Sequence, residues 1–175
     1  GIDQIIHDVA TQKLHIVLAV DRAGIVGEDG ETHQGVFDVA LLNSVANVTI
    51  YSPCYFDDLV RDMHTAAYSS NGAIVVRYPR GAELYKPADF ETSKKTFSFY
   101  GSGSTDILLV TYGRLFSYAC KAKEKLFKKC IDITVLKLNR IKPIPKEALQ
   151  NSLSYKKIFF FEEGMATGGI GEHFI

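Results

Sequence analysis

The sequence predicts an α/β protein built on parallel sheets, each a three-layer unit with helices over the sheet, and three observations predict it. Short runs rich in Val, Ile and Leu recur at residues 14–20, 48–51, 73–78, 107–112, 133–138 and 157–161, with the length and composition of buried strands. Segments with apolar residues at helical spacing separate them, and that alternation implies βαβ units. Turn residues such as Pro53, Gly72, Pro79, Gly81, Pro143 and Pro145 close the runs, because glycine and proline punctuate regular structure.

Each element has its own reason. Residues 3–13 place Ile5, Ile6, Val9 and Ala10 on one helical face. Residues 14–20 (LHIVLAV) read as a buried strand, and a loop at 21–35 holds Gly24, Gly27, Gly30 and Gly35. Residues 36–46 read as a helix with Phe37, Ala40, Leu41 and Val45 on one face. Residues 55–68 read as a second helix with Phe56, Leu59, Val60 and Met63 inward. The turn at 69–72 leads into the third strand. From residue 82 the texture becomes polar, with a hinge-like Gly101-Ser102-Gly103-Ser104. This stretch reads as a linker, residues 82–103, with room for one or two edge strands. A second alternating unit follows: strand 107–112, helix 114–127, strand 133–138, a proline-containing turn at 139–145, short helix 146–153 and strand 157–161.

The chain has 175 residues, 46% hydrophobic and 23% charged, which is ordinary globular composition and excludes a disordered chain. Lys plus Arg equals Asp plus Glu, 20 each. No global field therefore draws the protein to nucleic acid or to an anionic membrane, and no apolar run is long enough to span a bilayer. Cys54, Cys120 and Cys130 are odd in number and form no CxxC, which favours free thiols in a reducing compartment. Cytoplasmic placement is expected, with the plastid as its counterpart in a plant or alga. Gly1-Ile2-Asp3 opens directly into a helical pattern and the chain stops after Gly171-Glu172-His173-Phe174-Ile175, so a fragment of a larger protein is expected.

In an open parallel sheet, ligands sit at the carboxyl ends of the strands. Arg22 follows the first strand, Arg77 and Arg80 close the third, and Asp29 and His33 lie in the loop between Gly27 and Gly35. Arg22 and Arg80 can converge as an anion cup, since guanidinium groups grip phosphate or carboxylate. The competing reading pairs each arginine with a nearby acid: Asp21, Glu28 or Asp29 for Arg22. His33 can move protons near neutral pH, or Thr32 or Gln34 can simply cap the next helix. A metal site from Asp29, His33 and Asp38 matches no known ligand spacing. The run Gly164 to Gly171 suits a phosphate cradle at a helix start or a tight turn of small residues. Lys121, Lys123, Lys125, Lys128 and Lys129 read as a solvated helix face, Phe159-Phe160-Phe161 as filling for a second core, and nothing beside Cys54 marks it as a nucleophile.

Longer blocks are more specific. Asp3-Gln4-Ile5-Ile6-His7-Asp8-Val9-Ala10, Asp21-Arg22-Ala23-Gly24-Ile25-Val26-Gly27, Asp29-Gly30-Glu31-Thr32-His33-Gln34-Gly35-Val36-Phe37-Asp38 and Arg77-Tyr78-Pro79-Arg80-Gly81 closely resemble the 1-deoxy-D-xylulose-5-phosphate synthase family of transketolase-like enzymes. Thr111-Tyr112-Gly113, Lys142-Pro143-Ile144, Glu162-Glu163-Gly164 and Gly168-Gly169-Ile170-Gly171 extend the resemblance. It implies a transferase dependent on thiamine diphosphate and Mg²⁺ that joins pyruvate, after decarboxylation, to glyceraldehyde 3-phosphate, feeding isoprenoid, thiamine and pyridoxal synthesis. It implies residues 1–81 as the later half of the pyrimidine-binding domain and 104–175 as most of a truncated C-terminal domain. It places Arg22 and Arg80 on the sugar phosphate and Asp29 and His33 near the reacting carbonyl and hydroxyl groups.

The family's activating glutamate and its Mg²⁺-binding segment are expected upstream of Gly1, so most cofactor contacts fall outside this chain and the chain alone is expected to be inactive. A homodimer or larger assembly is expected through exposed strand edges at residues 14–20 and 73–76. Two other readings stand beside this one: the C-terminal or beta subunit of a split transketolase or 2-oxo acid dehydrogenase, and a non-catalytic interaction module of the same fold.

Overall fold

The computed structural model describes residues 1–69, 72–92 and 95–174; residues 70 and 71 of the expected turn, and residues 93 and 94 of the expected linker, lie outside them. The chain begins with α1 (Ile2–Gln4), which runs into a π-helical segment, Ile5–Ala10. Ile2, Ile5 and Val9 pack on the core and Ala10 is buried in it. The first sheet comprises β1 (Ile16–Val20), β2 (Val48–Tyr51) and β3 (Ala73–Arg77), with α2 (Asp38–Asn43) and α3 (Phe56–Tyr68) as connections. The second unit contains β4 (Phe97–Tyr100), β5 (Ile107–Tyr112), α4 (Leu115–Phe127), β6 (Thr134–Leu138), β7 (Arg140–Lys142), α5 (Lys146–Ser152), β8 (Lys157–Phe161) and α6 (Ile170–Phe174).

The sheet orders are β1-β3-β2-β7 and β4-β6-β5-β8. β1, β3 and β2 are parallel, as are β6, β5 and β8. Each sheet also carries one antiparallel edge strand, β7 beside β2 and β4 beside β6, so the parallel architecture is mixed at its margins. β4 lies within the stretch read as a linker. β7 lies where the sequence reads as a turn, and it leaves the second unit to join the first sheet.

Several helix faces differ from the sequence reading. Phe37 and Leu41 are exposed, whereas Val39, Leu42 and Val45 are buried. On α3, Phe56 and Val60 are exposed; Leu59 and Met63 pack inward, and Asp58, Asp62 and Ala66 form the fully buried stripe. The cause is a polar partner from the second sheet, Lys137 with Asn139, which meets those carboxylates. A buried charge is tolerated when it is paired, and an apolar count cannot anticipate that pairing.

One continuous core joins the sheets: Val39, Leu42, Ile50 and Val75 from the first unit pack with Leu108, Val110, Leu136, Leu138 and Ile170 from the second. Lys142 reinforces the join by donating to the carbonyls of Leu42 at 3.0 Å and Asn43 at 2.7 Å, the C-terminal end of α2. Phe160 faces this core, but Phe159 and Phe161 are 49% and 52% exposed. The aromatic run therefore does not fill a second core as a block, because β8 is an edge strand. Residues 73–76 are not an exposed edge either: β3 is paired on both sides and wholly buried. β1 is the parallel edge strand of the first sheet, opposite β7.

Candidate functional site

The carboxyl edge of the first sheet brings distant residues together. Val20 pairs in register with Arg77, and the pairing continues through Tyr78 N–H to the Val20 carbonyl and Ala23 N–H to the Tyr78 carbonyl. Arg22 and Arg80 therefore flank one another across adjacent strand ends. Arg22 takes a left-handed backbone, φ +55°, which is uncommon outside glycine and concentrates at functional sites.

Both arginines converge on Asp29. Arg22 Nε donates to Asp29 Oδ2 at 2.8 Å, and Arg80 Nη1 pairs with Asp29 Oδ1. Arg22 Nη1 also pairs with Asp21 at 2.5 Å. The Asp29 side chain is only 11% exposed, while those of Arg22 and Arg80 are 41% and 46% exposed. The two readings of the arginines thus meet in one arrangement: each is paired with an acid, and the shared acid holds two half-exposed guanidinium groups at one place.

The loop that carries Asp29 is closed at its neck by reciprocal hydrogen bonds between Gly24 and Gly35, both at 2.9 Å. A Cβ at Gly35 would overlap the Arg22 carbonyl oxygen, so this approach needs glycine. Gln34 ties the loop internally: its side chain accepts from Val26 N–H at 2.6 Å and donates to the carbonyls of Val26 and Gly30. Gln34 is a loop clamp and does not cap α2. His33 is exposed, with Nδ1 3.0 Å from the Thr32 hydroxyl.

Other sequence candidates resolve differently. Asp38 is taken by buried Arg77, at 2.7 Å from Nε, and the same guanidinium donates to the Gly35 carbonyl. Asp38 therefore completes no metal site with Asp29 and His33, and among the described residues no group of three His, Cys, Asp or Glu could hold a metal ion. The glycine run at 164–171 is not an open phosphate cradle. The Glu162 carboxylate fills it, accepting from Ile170 N–H and Gly171 N–H at 3.0 Å each; a side chain supplies the anion that such amides attract. On the lysine face, Lys123 pairs with Asp132 at 2.5 Å and Lys121 lies over the Tyr85 ring, while Lys125, Lys128 and Lys129 are exposed. Burial pushes the Cys54 thiol up to about 11, which suits a packed thiol and not a nucleophile.

A larger groove, about 1040 Å³, lies between β4 and the C-terminal part of α4. Its Lys123 and Asp132 neutralise each other and Glu124 accepts from Tyr85. The convergent, half-exposed guanidinium groups make the strand-end cluster the better candidate for an anionic ligand. Sequence reasoning missed Arg114, which pairs with Glu163 beside the same loop; an arginine just before a helix carries no signal of a partner that far along the chain.

The transketolase pyrimidine-binding domain family matches residues 2–83, and the transketolase C-terminal domain family matches residues 101–175. The chain belongs to the transketolase family. Among curated relatives, this transketolase-family chain is 39% identical over 176 aligned residues to the 1-deoxy-D-xylulose-5-phosphate synthase of Carboxydothermus hydrogenoformans, covering 97% of this chain and 27% of that protein. It is also 39% identical to the enzyme of the same name from Clostridium acetobutylicum, covering 97% and 28%. The chain thus spans little more than a quarter of the length of these relatives.

A solved split-gene transketolase, described as an inactive beta4 tetramer, shares the fold at TM-score 0.81 and 24% identity over 98% of this chain and 56% of that one. A transketolase variant from Pichia stipitis, in complex with fructose 6-phosphate, aligns at TM-score 0.68 and 19% identity over 93% and 28%. These likenesses agree with the mixed parallel α/β architecture. No helix among the described residues is long and apolar enough to cross a membrane.

Proposed function

We propose that residues 1–175 form the acceptor-binding part of a 1-deoxy-D-xylulose-5-phosphate synthase, which condenses pyruvate, with loss of CO₂, with glyceraldehyde 3-phosphate. The observation that carries this reading is the convergence of Arg22 and Arg80 on Asp29 at the carboxyl edge of the first sheet. The names of the curated relatives supply the reaction class.

On this reading the half-exposed guanidinium groups hold the acceptor phosphate, and Asp29 keeps them at a fixed separation while orienting the acceptor hydroxyl. His33 moves a proton at the acceptor carbonyl oxygen. Residues 1–81 are the later half of the pyrimidine-binding domain, 82–103 a linker, and 104–175 part of the C-terminal domain. Among the described residues no three His, Cys, Asp or Glu side chains are placed to hold a metal ion, and the chain spans little more than a quarter of its curated relatives. On this reading thiamine diphosphate and Mg²⁺ are held mainly by other segments of a longer protein, and the chain alone is inactive. A cytoplasmic homodimer belongs to the same reading, supported by exposed Ile25, Phe37 and Leu41 near the site.

The test compares phosphorylated and unphosphorylated acceptors in the complete protein. Arg80→Ala removes a charge-assisted contact of about 1.5–3 kcal/mol. The expected result is a rise of about tenfold to a hundredfold in KM for glyceraldehyde 3-phosphate, with little change for glyceraldehyde or pyruvate. Equal losses for both aldehydes reject the phosphate role.

A further inference from the structure

The second unit grips the loop that carries Asp29 and His33. Arg114, just before α4, and Glu163, just past β8, form a two-point ion pair: Nε to Oε2 at 2.8 Å and Nη2 to Oε1 at 2.5 Å. Both side chains are largely buried, and the pair takes both polar groups of one loop residue. Ile25 N–H donates to Glu163 Oε1 at 3.4 Å, and Arg114 Nη2 donates to the Ile25 carbonyl. The fit extends to Gly24, at φ +86°, where a Cβ would collide with the Glu163 carboxylate. On the other side of the loop neck, Met165 N–H donates to the Val36 carbonyl at 3.2 Å.

Ile25 is the first residue beyond the Gly24–Gly35 neck. Gln34 ties the remainder of the loop to itself at Val26 and Gly30, so the loop is stiff internally and has a narrow base. Such a body pivots at its neck unless something outside holds it, and a pivot carries Asp29 away from Arg80.

We propose that Arg114 and Glu163 are positioning residues for the acceptor site: by holding the Ile25 backbone from both sides they keep Asp29 seated between Arg22 and Arg80. The functional half of this inference rests on the acceptor-site reading above; the structural half does not. A simple tether between the two units is the competing account, and it differs in one respect. A tether needs only opposite charges. Positioning needs a donor at the Ile25 carbonyl and an acceptor at its N–H.

The experiment uses the complete protein with Glu163→Ala, the milder Glu163→Gln, and the reversed pair Arg114→Glu with Glu163→Arg. Three readouts are taken: Tm, amide hydrogen exchange of peptides spanning residues 23–35, and KM for glyceraldehyde 3-phosphate against kcat. Glu163→Ala is expected to speed loop exchange at least tenfold, leave β3 peptides unchanged and raise the acceptor KM about tenfold with little effect on kcat. Glu163→Gln, which keeps an acceptor for Ile25 N–H, is expected to fall between it and the wild type. The reversed pair restores opposite charges and is expected to recover Tm without recovering loop protection or KM.

Unchanged loop exchange in Glu163→Ala overturns the proposal. So does recovery of loop protection and KM together in the reversed pair. If the wild-type protein forms no sugar phosphate, the acceptor reading falls instead, and the exchange readout still decides whether the clamp exists.

Discussion

Lys137 on β6 is buried against the carboxylate of Asp58 on α3, so an ion pair of the interior joins the second sheet to a helix of the first unit. The ammonium also lies 5.3 Å from the ring centre of Tyr55, 5.5 Å from that of Phe90 and 5.6 Å from that of Phe116. Aromatic faces offset part of the desolvation of a cation. Asp58 Oδ2 accepts in addition from the N–H groups of Cys54 and Tyr55 at the start of α3.

Breaking this pair is expected to cost more from the Asp58 side, because Asp58→Asn leaves buried Lys137 without its carboxylate partner, whereas Lys137→Met leaves Asp58 still paired with Arg61 at 3.0 Å. Asp58→Asn should lower stability by about 3–5 kcal/mol, and Lys137→Met by less. The double variant, which leaves no unpaired charge and keeps an amide oxygen for the α3 cap, should cost clearly less than the sum. Urea denaturation of the three variants checks this, and strict additivity would show that the two groups do not depend on each other.

Asp62 makes stability depend on pH. Burial pushes its carboxyl up to about 6, against the opposing pull of the neighbouring Arg61 guanidinium. Between about pH 4 and 6 the folded chain holds a proton that the unfolded chain has released. Stability therefore falls as pH rises through that window; the penalty is absent below it and complete above it. Relative to Asp62→Asn, the wild type should gain on the order of 1–3 kcal/mol between pH 7 and pH 4. Denaturation midpoints of both proteins at the two pH values measure the difference, which an ordinary carboxyl would leave unchanged.

His33 is exposed on the clamped loop, with one ring nitrogen beside the Thr32 hydroxyl. If it moves the proton at the acceptor carbonyl in the complete enzyme, His33→Ala should lower kcat by ~10²–10⁴ with little change in the acceptor KM. Thr32→Val, which removes only the neighbouring hydroxyl, should give a smaller loss of kcat. Steady-state kinetics separate this from binding: a raised KM at unchanged kcat would make His33 a binding residue.

The strands were the most legible part of the chain. Residues 48–51, 107–112 and 157–161 are strands over the same spans in the structure. Their apolar, β-branched and aromatic runs end at turn residues, and that information is local. The three residues of β7, between a strand and a proline, carry almost no local signal; pairing with β2 makes them a strand. The buried faces of α2 and α3 depart from the apolar pattern for a related reason. Periodicity reports where apolar residues lie, whereas burial follows the partner, and besides Arg61 on the same helix the partners of Asp58 and Asp62 are a lysine and an asparagine far along the chain.

The site shows the same division. By itself the sequence determined the α/β class, the alternation of elements, the edge of the sheet where ligands gather, and the specific blocks around Arg22, Asp29, His33 and Arg80. Only the tertiary structure decided that Arg22 and Arg80 share Asp29, that Glu162 occupies the glycine-run amides, and that Arg114 and Glu163 grip Ile25. The physical reason is range: strand and turn preferences are settled among near neighbours in the chain, whereas a charge takes whichever opposite charge and hydrogen-bonding groups the packed fold brings within a few ångströms.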